Sequence, residues 1–82
     1  MGRKEKLYRK ASESPNNLSF SELCSLAKQV GFVYRNTSGD HETYKHPIGG
    51  RMMNFQPING KAKPYQVKQL LDFIEENDLM GA

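Results

Sequence analysis

Apolar residues recur at intervals of three and four positions between residues 20 and 30, which is the spacing of one face of an α-helix. Ser19 precedes this run and Glu22 follows three positions later, the sequence pattern of a capping box. Gly31 comes directly after the last apolar position and suits the left-handed conformation that ends many helices. These signals predict a helix over residues 20–30.

After Gly31 the pattern changes to residues that favour β-strands. Residues 32–36 and 41–46 are rich in strand formers, and the Thr-Ser-Gly-Asp stretch between them favours a turn. Residues 51–56 alternate well enough to form a third strand after a Gly-Gly turn. The sequence therefore predicts an antiparallel meander of three strands.

A second helical pattern follows the loop of residues 57–63. Pro64 suits the first turn of a helix, and apolar residues then recur at helical spacing up to about residue 77. The order of helix, three strands and helix predicts an α+β fold of αβββα type. Both helices are expected to cover one face of the three-stranded antiparallel sheet, which leaves the other face free for a ligand.

The first 17 residues are polar and end in a cluster of turn and cap formers. We expect a basic N-terminal arm or a short, loosely docked helix over residues 1–17, and one domain over residues 18–82. Cys24 lies at helical spacing from Phe20 and Ala27 and is interpreted as a core residue. No apolar run is long enough to span a bilayer and no export signal is evident, so we expect a soluble, cytoplasmic protein with no membrane partner.

Charge is distributed unevenly along the chain, although the formal net charge is only +3. Residues 28–68 contain seven basic residues and two acidic ones, a balance that favours a polyanionic partner. The basic residues are Lys28, Arg35, Lys45, Arg51, Lys61, Lys63 and Lys68. A solvated basic surface explains the charge alone equally well.

Strand parity assigns the second strand's side chains to two faces, because successive side chains point in opposite directions. His41, Thr43 and Lys45 share one face, and Glu42, Tyr44 and His46 share the other. Tyr44 is the bulkiest of these residues, so its face is predicted to pack on the core and His41 to lie on the free face. The two histidines cannot then bind one metal ion together, and we predict neither a metal site nor a cofactor.

His41 is the candidate for catalysis, because imidazole can take or give a proton near neutral pH. One reaction that such a group can serve is RNA cleavage, in which a ribose 2′-hydroxyl attacks the adjacent phosphate. This reaction needs a base, an acid and positive charge, but no metal. A histidine after the Gly39-Asp40 turn is also compatible with a capping or solvated role. His46, before Pro47, is interpreted as a packed or hydrogen-bonded residue at the end of the strand.

Basic residues in two places are candidates for binding RNA phosphates. Arg35 and Lys45 are expected near His41. Lys61, Lys63 and Lys68 surround the start of the second predicted helix, where the helix dipole also favours an anion.

Four stretches carry a resemblance to a known family: residues 20–32, 38–47 with Ser-Gly-Asp-His and Tyr-Lys-His-Pro, 59–67 with Gly-Lys-Ala-Lys-Pro-Tyr-Gln-Val, and the helix 68–79. They resemble the HicA toxins, the small RNA-cleaving members of bacterial and archaeal toxin-antitoxin pairs. The resemblance implies a fold like the double-stranded-RNA-binding domain, cleavage of messenger RNA, and neutralisation by a HicB antitoxin that covers the active face. It also implies that His41 is the catalytic histidine.

Two positions beside His41 depart from the family pattern. Asp40 replaces the usual small residue of the supporting turn, which also contains Gly39, and Glu42 stands where a second histidine often follows. These acids can either orient the imidazole or repel RNA.

Two other functions stay open at this point. One is a non-catalytic RNA-binding module of the same fold, in which His41 only caps a turn. The other is an interaction protein whose partner surface is the free sheet face, with Met52, Asn54 and Gln56 exposed.

Overall fold

The computed structural model describes residues 3–80, so the first two residues of the predicted arm and the last two of the chain lie outside the described part. The elements in chain order are α1 (Arg3–Glu13), a 3-10 helix (Pro15–Asn17), α2 (Phe20–Gln29), β1 (Val33–Ser38), β2 (His41–Lys45), β3 (Met52–Phe55) and α3 (Pro64–Glu76). The predicted α+β fold with a three-stranded antiparallel sheet is confirmed.

The capping box that begins α2 is present as predicted. The Ser19 hydroxyl accepts the backbone N–H of Glu22 at 3.1 Å, and the Glu22 carboxylate accepts the backbone N–H of Ser19 at 3.0 Å. Gly31 follows the helix with a φ of +112°, a conformation that residues other than glycine rarely adopt. The helix thus begins and ends where its local signals indicate, within one residue.

The sheet has the order β1-β2-β3, and its register is interrupted once. β1 runs two residues further than predicted, so that Ser38 pairs with His41 across a turn in which Gly39 has a φ of +63°. The register shifts between Tyr34 and Asn36, which leaves Arg35 as the extra residue of a β-bulge.

Both α2 and α3 cover the sheet face that contains Tyr44 and Phe55, as predicted. These two side chains are fully buried, together with the helix residues Leu23, Leu26, Val67 and Leu70. The opposite face, called here the open face, is formed by the residues that the register places away from Tyr44 and Phe55. They are Val33, Asn36 and Ser38 on β1, His41, Thr43 and Lys45 on β2, and Met52 and Asn54 on β3.

Residues 3–13 form a helix that contacts the other two helices. Ala11 is fully buried, Lys10 forms an ion pair with Glu22 of α2 at 2.8 Å, and the Tyr8 hydroxyl donates to Glu75 of α3 at 3.1 Å. The division of the chain into residues 1–17 and 18–82 stays a prediction. None of the helices between residues 3 and 80 combines the length and the apolar run that a bilayer crossing requires.

A tight turn at Asn59-Gly60 fixes the loop between β3 and α3. Both residues have positive φ, and the backbones of Ile58 and Lys61 exchange two hydrogen bonds of 2.9 and 3.0 Å, which is the geometry of a type I′ turn. The Ala62 N–H donates to the Leu18 carbonyl at 3.0 Å. The loop is thereby held against the start of α2, and it delivers Lys63 to the N-terminus of α3.

Candidate active site

His41 is the first residue of β2 and lies on the open face, directly after the turn. Its side chain is 45% exposed. The predicted parity of the strand is correct, because Tyr44 and His46 are buried on the opposite face and Lys45 is exposed. The imidazole is therefore held by a strand while remaining accessible to a ligand.

Asp40 is the nearest charged neighbour of the His41 imidazole. One oxygen of its carboxylate lies 3.7 Å from His41 Nε2, and the carboxylate also accepts hydrogen bonds from the Gln56 amide at 3.3 and 3.5 Å. The Asp40 side chain is 59% exposed, so an ion pair with His41 adds little to stability. The 3.7 Å distance is too long for a hydrogen bond, so Asp40 is a close carboxylate neighbour of the ring and not a hydrogen-bond partner.

Gln56 connects this pair to the loop before α3. Its side-chain oxygen accepts a hydrogen bond from Lys63 Nζ at 2.8 Å, and its backbone N–H donates to the side-chain oxygen of buried Gln66 at 3.0 Å. Lys63, Gln56, Asp40 and His41 thus form one chain of contacts between three segments. We call these four residues the His41 network.

The sequence-based prediction did not include Gln56 among the site residues and expected it to be exposed, whereas it is half-buried. Its position follows from the strand register, because Glu42 pairs with Phe55 and the residue after β3 therefore lies opposite His41. The spacing of residues along the sequence does not fix that register.

Glu42 does not share a face with His41. Its carboxylate lies on the helix side of the sheet, where it accepts hydrogen bonds from the Tyr44 hydroxyl at 2.7 Å and from the Cys24 thiol at 3.6 Å. Of the two acids beside His41 in the sequence, only Asp40 contacts it.

Cys24 is buried in the core, as predicted. Burial raises the pKa of the Cys24 thiol to about 11, and the Glu42 carboxylate acts in the same direction while a hydrogen bond with Tyr44 acts against it. The thiol is thus protonated at neutral pH and is a poor nucleophile.

His46 is a structural residue, as predicted. It is 3% exposed, its Nε2 lies 2.9 Å from the Val30 carbonyl, and its Nδ1 accepts the backbone N–H of Ile48 at 3.0 Å. These partners fix the neutral tautomer with the proton on Nε2. The ring also packs edge-on against Phe32 and Phe73.

Arg35 and Lys45 line a separate cavity of about 410 Å³, together with Val33, His46, Pro47 and Gly50. Lys45 is four residues along the strand from His41, which corresponds to about 13 Å. Arg35 and Lys45 thus share a cavity whose lining does not include His41.

The three lysines around the start of α3 have different surroundings. Lys63 belongs to the His41 network, and Lys61 is exposed in the type I′ turn. Lys68 lies one turn into the helix and pairs with Asp72 at 3.7 Å, with both side chains largely exposed. Only Lys63 is brought towards His41.

Metal ligands are not clustered in the part of the chain that the structure describes, where no group of three or more histidine, cysteine, aspartate or glutamate side chains is placed to hold an ion. His41 and His46 lie on opposite faces of the sheet, as their odd separation predicts.

Comparison with protein families gives a match between residues 20–75 and the family described as the HicA toxin of bacterial toxin-antitoxin systems. This match covers more than half of the chain. The chain belongs to the HicA toxin family. Searches of the curated proteins and of the solved structures gave no match. Membership of the HicA family makes this protein the toxin of a toxin-antitoxin system and implies an antitoxin as its partner. The matched region contains the whole His41 network, while α1 lies outside it.

Proposed function

We propose that this HicA toxin is an endoribonuclease that cleaves messenger RNA, with His41 as the catalytic residue. The observation that carries the proposal is the His41 network on the open face. It combines an accessible imidazole, a carboxylate 3.7 Å away and a lysine ammonium joined to that carboxylate through Gln56. Family membership supports the same activity.

The reaction that suits these groups is attack of a ribose 2′-hydroxyl on the adjacent phosphorus. The 2′-hydroxyl loses its proton to a base, the 5′-oxygen of the next nucleotide leaves with a proton from an acid, and the products carry a 2′,3′-cyclic phosphate and a 5′-hydroxyl. His41 transfers one of these protons. Lys63 supplies positive charge for the negative charge that develops on the phosphoryl oxygens.

The other predicted RNA-binding residues would contact phosphates along the strand and not at the cleaved bond. Arg35 and Lys45 share the cavity at the end of the open face away from His41, and Lys61 and Lys68 are exposed before and after Lys63 in the chain. Such contacts contribute affinity that falls with added salt, because each neutralised phosphate releases counterions.

The antitoxin is proposed to be of the HicB type and to act by covering the open face. The order α2-β1-β2-β3-α3 also supports a likeness to the double-stranded-RNA-binding domain, although the proposed reaction takes place on an accessible single strand. The cytoplasm is the compartment in which messenger RNA would be met.

The test compares the full chain and its His41→Ala variant on a mixed-sequence RNA in the presence of a chelator. We expect cleavage by the parent, fragments with cyclic phosphate ends, and a rate lower by roughly 10²- to 10⁴-fold in the variant. Circular dichroism spectra should match, because His41 is half-exposed and contributes little to the core.

Two results would contradict the proposal. Equal cleavage by both proteins would remove His41 from the reaction. Binding of RNA by both proteins without cleavage by either would leave a non-catalytic RNA-binding module of the same fold.

A further inference from the structure

A row of three polar side chains crosses the open face between the two regions already described. Asn36 pairs with Thr43, and Thr43 pairs with Asn54, so the three strands present an amide, a hydroxyl and an amide side by side. Neighbouring rows on one sheet face are about 7 Å apart. The row of His41 lies on one side of this polar row, and the row of Lys45 lies on the other.

These three side chains have no structural task among the described residues. Asn36 and Asn54 are exposed and Thr43 is half-buried, and within residues 3–80 none of the three side chains forms a hydrogen bond, although their backbones pair in the sheet. The nearby amides of Gln56 and Gln66 are both bonded. Asparagine is also disfavoured in strands. Two unpaired asparagines on either side of a threonine are therefore not explained by the stability of the sheet.

The chemistry of the row fits the edge of a nucleotide base. A carboxamide offers a donor and an acceptor together, and a hydroxyl can do either. Single-stranded RNA is read in proteins through hydrogen bonds to base edges or through stacking on aromatic rings. His41 is the only aromatic residue among those that define the open face. The rest of this surface therefore cannot bind bases by stacking on aromatic rings, a mode of binding that tolerates every base.

We infer that Asn36, Thr43 and Asn54 form a base-recognition subsite that selects the nucleotide beside the cleaved bond. This inference rests on the proposed ribonuclease function. A strand with its reactive phosphate at His41 and a further phosphate at Arg35 and Lys45 passes over the polar row, and the positive charge at both ends suits its backbone. The occupant is single-stranded RNA, and the row determines which sequences are cut.

The first experiment cleaves an RNA pool with a randomised stretch and sequences the fragment ends. The proteins compared are the parent and the variants Asn36→Thr, Thr43→Val and Asn54→Thr, all of which keep a residue suited to a strand. Asn16→Thr is the matched control, because Asn16 is exposed in the 3-10 helix. We expect the parent to favour one base at a position beside the cleaved bond. That preference should fall by about fivefold or more when one base contact is lost, and it should be unchanged in the control.

A second experiment keeps the inference testable without cleavage. In a His41→Ala background, the affinities for short fluorescent oligo-A, oligo-C and oligo-U strands and for one G-containing strand are measured by anisotropy. We expect differences between bases that shrink when Asn36 or Asn54 is replaced and persist when Asn16 is replaced. If the parent does not cut but this base dependence is found, the ribonuclease proposal fails while the subsite stands.

Three results would overturn the subsite. The first is a parent protein that cuts or binds without any base preference, or that does not bind RNA at all. The second is a base preference that survives in all three row variants. The third is weaker binding of the antitoxin by the row variants with the base preference intact, which would assign these side chains to the protein interface.

Discussion

The two histidines of this HicA toxin are five residues apart on one strand, and their surroundings are opposite. His41 is 45% exposed, with Asp40 as its charged neighbour, whereas His46 is 3% exposed and has a hydrogen-bond partner at both ring nitrogens. The difference follows from strand parity, because an odd separation places one ring on the open face and the other under the helices. An imidazole that is fully bonded serves the fold, and one that is left accessible is available for chemistry.

The largest expected effects come from replacing each of these two histidines with alanine in turn. His46→Ala removes two buried hydrogen bonds and the ring packed on Phe32 and Phe73, and should cost about 2–4 kcal/mol of unfolding free energy. The midpoint of thermal unfolding should then fall by about 10 °C or more. His41→Ala should leave the midpoint nearly unchanged while cleavage is lost.

His46→Phe refines this comparison, because it keeps a ring in the core but leaves the Val30 carbonyl and the Ile48 N–H without their partner. It should be destabilised as well, by about 1–3 kcal/mol. If His46→Ala were instead as stable as the parent and unable to cut RNA, the structural role of His46 would be wrong.

Gly31 offers a way to disturb His46 without changing it. A Cβ at residue 31 would lie 2.7 Å from His46 Nε2, and the φ of +112° is strained for any side chain. We expect Gly31→Ala to lower the unfolding free energy by about 1–3 kcal/mol. Gly39→Ala is the control for a positive φ without crowding, because no atom lies within 4 Å of the new Cβ. It should cost less, both for that reason and because its φ of +63° lies in the left-handed region that residues other than glycine can adopt. If urea unfolding gave equal losses of unfolding free energy for the two variants, crowding against His46 would make no contribution to the loss at Gly31.

Lys63 tests the accessible side of the comparison. Replacing it with methionine removes the ammonium that contacts Gln56 in the His41 network, and cleavage should fall roughly tenfold if that charge stabilises the reacting phosphate. Lys68→Met removes an exposed lysine of α3 that is already paired with Asp72, and its effect should stay within about twofold. The comparison uses single-turnover cleavage rates at fixed ionic strength. If both variants lost a similar fraction of the rate, Lys63 would act only through general electrostatic attraction of RNA.

The smallest expected effect is on the stability of the fold at acidic pH. Hydrogen bonds from Lys10 and from the Ser19 backbone hold the pKa of Glu22 below its ordinary value of 4.5. A carboxylate with a depressed folded-state pKa contributes stability above its unfolded-state pKa and loses it as the pH falls through the folded-state pKa. The thermal midpoint of the parent should therefore drop below about pH 4.5 more steeply than that of Glu22→Gln. If the curves of thermal midpoint against pH were parallel for the two proteins, the lowered pKa of Glu22 would be contradicted.

Local sequence signals were sufficient for the framework. The capping box at Ser19 and Glu22, the turn at Gly39 and the alternation around Tyr44 each depend on neighbouring residues, and each is found in the structure. They also place His41 on the accessible face. The four stretches that resemble the HicA toxins indicate the family, which the match over residues 20–75 establishes.

The surroundings of His41 could not be predicted in the same way. Gln56 reaches Asp40 and Lys63 only because β3 pairs in one particular register and the loop is held by the Asn59-Gly60 turn. Arg35 and Lys45 were expected near His41, but the rise of the strand separates Lys45 from it. Distances between side chains on different segments depend on register and loop geometry, which the pattern of single residues does not encode.

The bulge at Arg35 has a consequence for solubility. β1 forms an edge of the sheet, all six of its residues are exposed, and such a strand is a template on which a second copy of the chain can add by backbone pairing. The extra residue breaks the regular ladder and adds local twist, and it places a charged side chain in the middle of the edge. An exposed strand that is irregular and charged pairs poorly with copies of itself, so we expect this toxin to associate little along its β1 edge.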